Sequence, residues 1–257
     1  MEYLTVAEAR SRDGIKLVLT RDVPGPWGEA AKAILRHHGL EFLPVAQHGG
    51  GANDELVAWT GHRNAPLLLI PGEPVRSHWL EILNAAERLG SGSSLLPKEP
   101  RERAVAVGLA HEICGEQALA WQVRLLMLDF INSNTPDSGS ANPMLDAYGY
   151  PTGFAAERRA VFDRVAASLA LLDERLAAQQ AAGLRYFVGN AYTVVDLYWA
   201  YFSQLISPME APALPLEGFR RAIYALYSTL APELAIDALI THRERIFEQH
   251  LELPMSF

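Results

Sequence analysis

The chain of 257 residues carries 22 Lys and Arg against 30 Asp and Glu, a formal net charge of −8, with 49% hydrophobic and 20% charged side chains. That balance excludes a disordered chain, whose few apolar groups fail to offset the entropy of ordering. It also argues against nucleic acid as a partner, because phosphate binding rests on basic side chains displacing counterions, and here these are outnumbered and scattered.

Residues 1–14 read as an N-terminal extension, charged throughout and without the apolar core of a signal peptide. Residues 15–19 form a short apolar run that predicts a strand, after which Pro24, Gly25 and Pro26 break the chain. Proline suits the first position of a helix, where its missing N–H has no partner, and Ala30, Ala31, Ala33, Ile34 and Leu35 continue the pattern to Gly39. A second strand is expected over 40–45, running into a long loop with Gly49, Gly50 and Gly51. That loop lacks the lysine and the following Ser or Thr of a phosphate-binding loop. Residues 67–70 predict a buried strand and 73–75 a short partner across the Pro71–Gly72 turn, with a helix over 77–89 closing the unit.

The pattern then changes from short strands to long helical stripes, which puts a boundary near 90–100: a domain over 1–92, a linker over 93–100 and a helical domain over 101–257. Val161, Val165, Leu169, Leu172 and Leu176 recur at spacings of four, four, three and four, one face of a helix. Residues 101–130 read as another helix, with Val105, Leu109 and Ile113 along one side, and 219–230 and 234–251 as two more. The connection over 131–153 is too rich in Pro, Gly, Ser and Asn for regular structure, and so is either mobile or part of a binding site.

Several chemistries find no support. The single Cys114 allows no disulfide within the chain and no multi-cysteine metal site, and points to a reducing, cytoplasmic setting. His111–Glu112 is followed by Gly115 where a zinc pair needs its second histidine. No G-x-S-x-G context marks a hydrolase, and no stretch approaches the roughly 18 apolar residues of a membrane span. No metal, no nucleic acid and no membrane are expected as partners.

The most informative segment, residues 186–202, reads YFVGNAYTVVDLYWAYF. Thr193 and Asp196, three apart and ahead of an apolar run, fit an N-capping box. With the aromatic-aliphatic-Gly-Asn stretch before it, the segment closely resembles the buried capping box in the helical domain of the glutathione transferase superfamily. Ala65–Pro66 ahead of the 67–70 strand resembles the superfamily's cis-proline step, and Val75-Arg76-Ser77 the place of its acidic-or-amide residue followed by serine. The order of the three motifs, over roughly 15–250, carries the resemblance.

The resemblance implies an α/β thioredoxin-like N-terminal domain followed by an all-α helical-bundle C-terminal domain. It implies glutathione as co-substrate, held by Ala65, Pro66, Arg76 and Ser77, with Trp27 nearby as a packing anchor; the helix start at Ser77 suits the γ-glutamyl carboxylate. Arg76, where the superfamily has an acidic or amide residue, either adds attraction for that carboxylate or points into water. The superfamily lowers the thiol pKa with a Tyr, Ser or Cys near the end of the first strand, whereas the loop here, 20–27, contains none. Thr20, Arg21 and the positive end of the helix are left as activating candidates. A second-substrate pocket is implied along the first long helix of the helical domain, at Trp121, Arg124, Leu125 and Leu128, with Tyr148 and Tyr150 as a lid. Thr193 and Asp196 are structural. The function so implied is attack of the glutathione thiolate on a small hydrophobic electrophile, in a homodimer. A non-catalytic ligand-binding or scaffold protein of the same fold is one alternative, and a glutathione-dependent isomerase, ether-cleaving enzyme or dehalogenase another.

Overall fold

Lys16–Leu19 are all buried, the pattern of a strand covered on both faces. In the computed structural model, which describes residues 1–134, 145, 147–150, 154, 158–234 and 236–257, this run is β1 (Lys16–Thr20), the centre of a three-stranded sheet. It pairs in parallel with β2 (Leu43–Gln47), Thr20 opposite Gln47, and antiparallel with β3 (Leu67–Leu69), Val18 opposite Leu67. An isolated bridge from Leu68 to Arg76 extends the sheet by one residue, just beyond the 73–75 partner expected from the sequence.

Alternation along β1 assigns its two faces. Val18 packs with Val45, Leu56 and Leu67 in one cluster, together with Val6 and Ala9 of α1 (Val6–Arg10). Leu19 faces the other side, where α2 (Pro26–His37) approaches closely enough that a methyl on Gly28 would stand 3.1 Å from its side chain. The helix α4 (Trp79–Leu89) packs on α2 and buries Ile82, Leu83, Ala85 and Ala86. Residues 1–14, expected within the domain of 1–92, join the sheet: Leu4 pairs with β2 through both its backbone groups and Ala9 is fully buried. One expectation is corrected here. The stretch between β2 and β3 is not wholly loop: it holds α3 (Asp54–Thr60), whose Leu56 enters the core.

Contacts divide the chain into two units, one of residues 1–93, 137–149 and 256–257 and one of 94–136 and 150–255. In the second, the helix expected over 101–130 is two, α5 (Pro100–Cys114) and α6 (Leu119–Asn134). The break is local: Gly115 caps α5, a methyl there would stand 2.4 Å from His111 Nδ1, and Gln117 is left-handed at φ 64°. The striped helix is α7 (Arg158–Ala181), which buries Val161, Val165, Leu169, Leu172 and Leu176. Then follow α8 (Val194–Phe202), buried along its whole length, α9 (Gly218–Tyr224), α10 (Leu226–Leu230) and α11 (Asp237–His250). The helix expected over 219–230 is thus divided at Ala225. Most of the 131–153 connection lies outside the described residues.

Cys114 ends α5, is 2% exposed, and burial pushes its thiol well above the ordinary range. The thiolate is the reactive form, so the native protein is expected to resist an aromatic disulfide reagent at pH 8 and to react fully once unfolded in guanidinium. Complete labelling of the native protein within minutes would contradict this burial.

Candidate functional site

The register brings three separate segments to one end of the N-terminal sheet. Because β1 and β2 are parallel, they end together at Thr20 and Gln47. Because β3 is antiparallel, it begins at that end, preceded by Asn64, Ala65 and Pro66, with the Ala65–Pro66 bond cis. The start of α2 follows Thr20 after the loop 21–25, and the start of α4 follows the Arg76 bridge. Helix starts and strand ends at one sheet edge are a common setting for ligands in α/β units.

Thr20 sits at the centre of a hydrogen-bonded group. Its Oγ1 donates to Gln47 Oε1 at 2.8 Å, while Gln47 Nε2 donates to His48 O at 2.9 Å and Arg63 O at 3.4 Å. The two carbonyls fix the amide's orientation, so the Thr20 hydroxyl hydrogen is committed to Gln47 and only its lone pairs remain open. Arg21 is more than half exposed and stands 3.8 Å from Asp22, a loose surface pair. Trp27 lies half-buried in the first turn of α2.

After β2, Asn53 closes the loop that follows. It accepts from His48 N at 3.0 Å and donates to His48 O and Gly51 O, each at 2.9 Å. This holds Gly49 against Thr20: a methyl built on Gly49 would lie 3.2 Å from Thr20 Cγ2 and 3.5 Å from the Tyr148 hydroxyl. Tyr148 therefore belongs to this edge. Its neighbour Ala147 is held by Asn64 Nδ2, which donates to Ala147 O at 2.8 Å. Asn64 Oδ1 is buried and accepts no hydrogen bond among the described residues.

At α4 the helix cap is His78 rather than Ser77. Its Nδ1 accepts from Leu80 N at 3.3 Å, and Glu81 Oε2 accepts from both His78 N at 3.2 Å and Ser77 N at 3.3 Å. The Ser77 amide expected for a ligand carboxylate thus faces a carboxylate of the chain itself, carried on the exposed Glu81. Arg76 turns to Glu73 at 3.0 Å; Arg88 bonds the same group at 2.7 Å, and the two guanidiniums, Arg88 foremost, hold the Glu73 carboxyl below its usual range. Arg76 is thereby tied into a surface ion group on the α4 side.

In α6, Leu125 and Leu128 are buried, while the Arg124 guanidinium lies 3.9 Å above the Trp121 ring, a cation–π pair. Tyr150 is anchored to α6: its hydroxyl donates to Asp129 at 2.7 Å, Arg158 pairs with the same carboxyl, and burial with the Asp129 contact pushes the phenol up to about 12. Among the described residues no group of three or more His, Cys, Asp or Glu is placed to hold a metal, and no helix is long and apolar enough to cross a membrane.

Thr193 and Asp196 form the capping box of α8, and Asp196 does more than cap. Its Oδ2 accepts from Thr193 N and Thr193 Oγ1, each at 2.9 Å, and its Oδ1 from Phe187 N at 3.0 Å and His242 at 2.8 Å. Arg245 donates to His242 Nδ1 at 2.7 Å, which leaves the hydrogen on Nε2, facing Asp196. His242 is a structural residue that sequence reading missed, because it lies 46 positions from its partner. Gln47, Asn64 and Glu81 were missed as well. Of these, only Glu81 had a local signal, three residues after the capping position.

No family model matches the chain, and no curated protein matches it. Solved structures do. The chain is 15% identical to a glutathione S-transferase from Pseudomonas fluorescens Pf-5, with 95% of this chain and 100% of that one covered at a TM-score of 0.62. It is 20% identical to the beta-etherase LigF from Sphingobium sp. strain SYK-6, over 91% and 100% of the two chains at 0.58. It is 10% identical to a glutathione S-transferase from Methylobacillus flagellatus KT with glutathione bound, over 91% and 95% at 0.60. The fold is therefore of the glutathione transferase type: a thioredoxin-like N-terminal part followed by a helical C-terminal part.

Proposed function

We propose that the chain binds glutathione at the N-terminal sheet edge and directs its sulfur at a small apolar electrophile. The observation that carries this reading is the convergence of the Thr20 end of β1, the Asn64-Ala65-Pro66 step and the start of α4 at one place. Glutathione bound to two fold neighbours, and glutathione sulfonate bound to a third, supports it. Ala65 and Pro66 would meet the cysteinyl part and Ser77 the γ-glutamyl carboxylate, which must displace the exposed Glu81 side chain. Trp121, Arg124, Leu125 and Leu128 remain the proposed source of the electrophile's apolar wall. The reaction draws its rate from bringing thiolate and electrophile together and from stabilising sulfur charge. A homodimer in the cytoplasm completes the reading, and Cys114, buried and in no disulfide, accords with a reducing compartment.

Calorimetric titration tests the binding step. Saturable binding of glutathione below a few millimolar is expected, weakened in Ser77→Pro, which removes the amide, and strengthened about 2- to 5-fold in Glu81→Ala, which frees it. Absence of binding to the wild type would overturn the reading.

A second reading is favoured by one specific observation. The Thr20–Trp27 loop offers no Tyr, Ser or Cys, and the Thr20 hydroxyl is committed to Gln47. A protein that holds glutathione or a related ligand without turnover would show binding but no lowered thiol pKa. Product analysis separates conjugation from the ether cleavage named for one fold neighbour.

A further inference from the structure

Contacts place Gly149 with the N-terminal unit and Tyr150 with the helical one, so the chain passes from one to the other across a single peptide bond. Named groups hold each side of that bond. Before it, Asn64 Nδ2 donates to Ala147 O at 2.8 Å, and Tyr148 packs beside Gly49, where a methyl would lie 3.5 Å from the Tyr148 hydroxyl and 3.2 Å from Thr20 Cγ2. After it, the Tyr150 hydroxyl donates to Asp129 at 2.7 Å, and the Tyr150 ring lies 5.3 Å from that of Phe154, which is 1% exposed. Between the two anchors stands Gly149, exposed and left-handed at φ 66°, a backbone conformation that glycine adopts at no steric cost and other residues do not. A methyl built on Gly149 would meet nothing within 4 Å, so the backbone angle alone gives glycine its advantage there.

The two anchors differ in strength. Asp129 is buried and its carboxyl takes both the Tyr150 phenol and the Arg158 guanidinium, bonds to an ionised group that are about twice as strong as neutral ones. Ala147 is tied by one neutral amide, which biases a segment toward its bound arrangement by about 2- to 12-fold. The weaker anchor is the one at the sheet edge, and it shares its residue with that edge, since Asn64 directly precedes the Ala65–Pro66 step. Among the described residues no hydrogen bond from 147–149 reaches Ala65, so the segment borders the place proposed for the cysteinyl part rather than filling it. We propose that residues 147–149 form a strap across the N-terminal sheet edge, latched by Asn64 and hinged at Gly149, whose release sets the rate at which ligand enters and leaves the site. The proposal rests on the glutathione reading above and adds a gate to it. A strap that closes over both the empty and the occupied edge opens alike for entry and for exit. Weakening its latch therefore multiplies both rates by one factor and leaves their ratio, the dissociation constant, where it was. A group that touches the ligand changes that ratio instead, chiefly through the rate of release.

The test is stopped-flow mixing of the full-length protein with glutathione, followed by tryptophan fluorescence, for association and dissociation rates. Gly149→Ala is the deciding variant, because it strains the latched backbone while its methyl enters open space. It is expected to raise both rate constants together by about 2- to 10-fold, with Kd held within about twofold. Asn64→Ala, which removes the latch, is expected to raise both rates as well, and it carries the test if Gly149→Ala does not fold. Association and dissociation rates unchanged in both variants would overturn the gate while leaving the glutathione reading intact. A weakened Kd in Gly149→Ala with an unchanged association rate would do the same, since it would mark 147–149 as a part of the binding surface that stays in place. No binding to the wild type would remove the glutathione reading itself, and the gate with it.

Discussion

Asp196→Ala is expected to destabilise the helical part by about 4 kcal/mol, because each buried donor left without its acceptor costs roughly 1–3 kcal/mol and several are stranded at once. The side chain is fully buried and its two oxygens accept four hydrogen bonds: two from Thr193, one from the Phe187 amide and one from His242. Alanine strands all four donors where water cannot reach them. The damage spreads because the donors come from three places: the segment before α8, the cap of α8, and α11. Trp199 Nε1, donating to Leu239 O at 2.8 Å, is a second tie between α8 and α11, and it survives the substitution. Since unfolding temperature moves by about 2–4 °C per kcal/mol in chains of this size, the transition should fall by roughly 10 °C. Asp196→Asn should recover little, because its amide would set an NH₂ against one pair of donors. Scanning calorimetry checks this; a shift under about 2 °C in Asp196→Ala would mean that the four bonds are remade with water.

Lys32→Met is expected to cost about 3 kcal/mol, and the loss should depend on pH in a definite direction. Lys32 and Glu29 face each other at 2.7 Å on α2, 2% and 5% exposed, and Lys32 Nζ also donates to Ser256 O at 2.6 Å. Burial raises the Glu29 carboxyl above its ordinary range, and Lys32 partly counters it. A carboxyl raised in the folded state favours folding in its protonated form, so its contribution is fully present below the unfolded value, about 4.3, and is lost as pH rises through the folded one. Removing Lys32 widens that window. The deficit of Lys32→Met should therefore be largest near pH 8 and shrink toward pH 5. The double variant Glu29→Gln with Lys32→Met should regain most of the loss, because no buried charge is left unpaired. Equal deficits at pH 5 and pH 8, read from urea midpoints, would show that the carboxylate reaches water in the variant.

Both effects arise in places the sequence describes unevenly. The Thr193–Asp196 box is a contact between residues three apart, and its geometry follows from helix starts in general. The strands are legible as apolar runs, and α7 as a stripe. The helix start expected at Ser77 falls later, at Trp79, because the His78 ring nitrogen takes the Leu80 amide and so caps the helix. The 101–130 stripe continues across Gly115, but apolar period alone does not register the close approach of His111 that stops the helix there. α3 is short and buries only Leu56, too little to stand out from the surrounding turns.

By itself the sequence determined what depends on neighbours a few positions apart: strand and helix patterning, the capping box, the proline step, the lone cysteine, and with them the resemblance to a fold. Tertiary structure alone decided what depends on distant residues meeting. It set Thr20 against Gln47 through strand pairing, His242 against Asp196, Ser256 against Lys32, and Tyr148 beside Gly49. The physical reason is that hydrogen-bond donors and acceptors are interchangeable in sequence and become specific only in space. A threonine hydroxyl at the end of β1 reads as an activating group until the fold supplies the glutamine that takes its hydrogen.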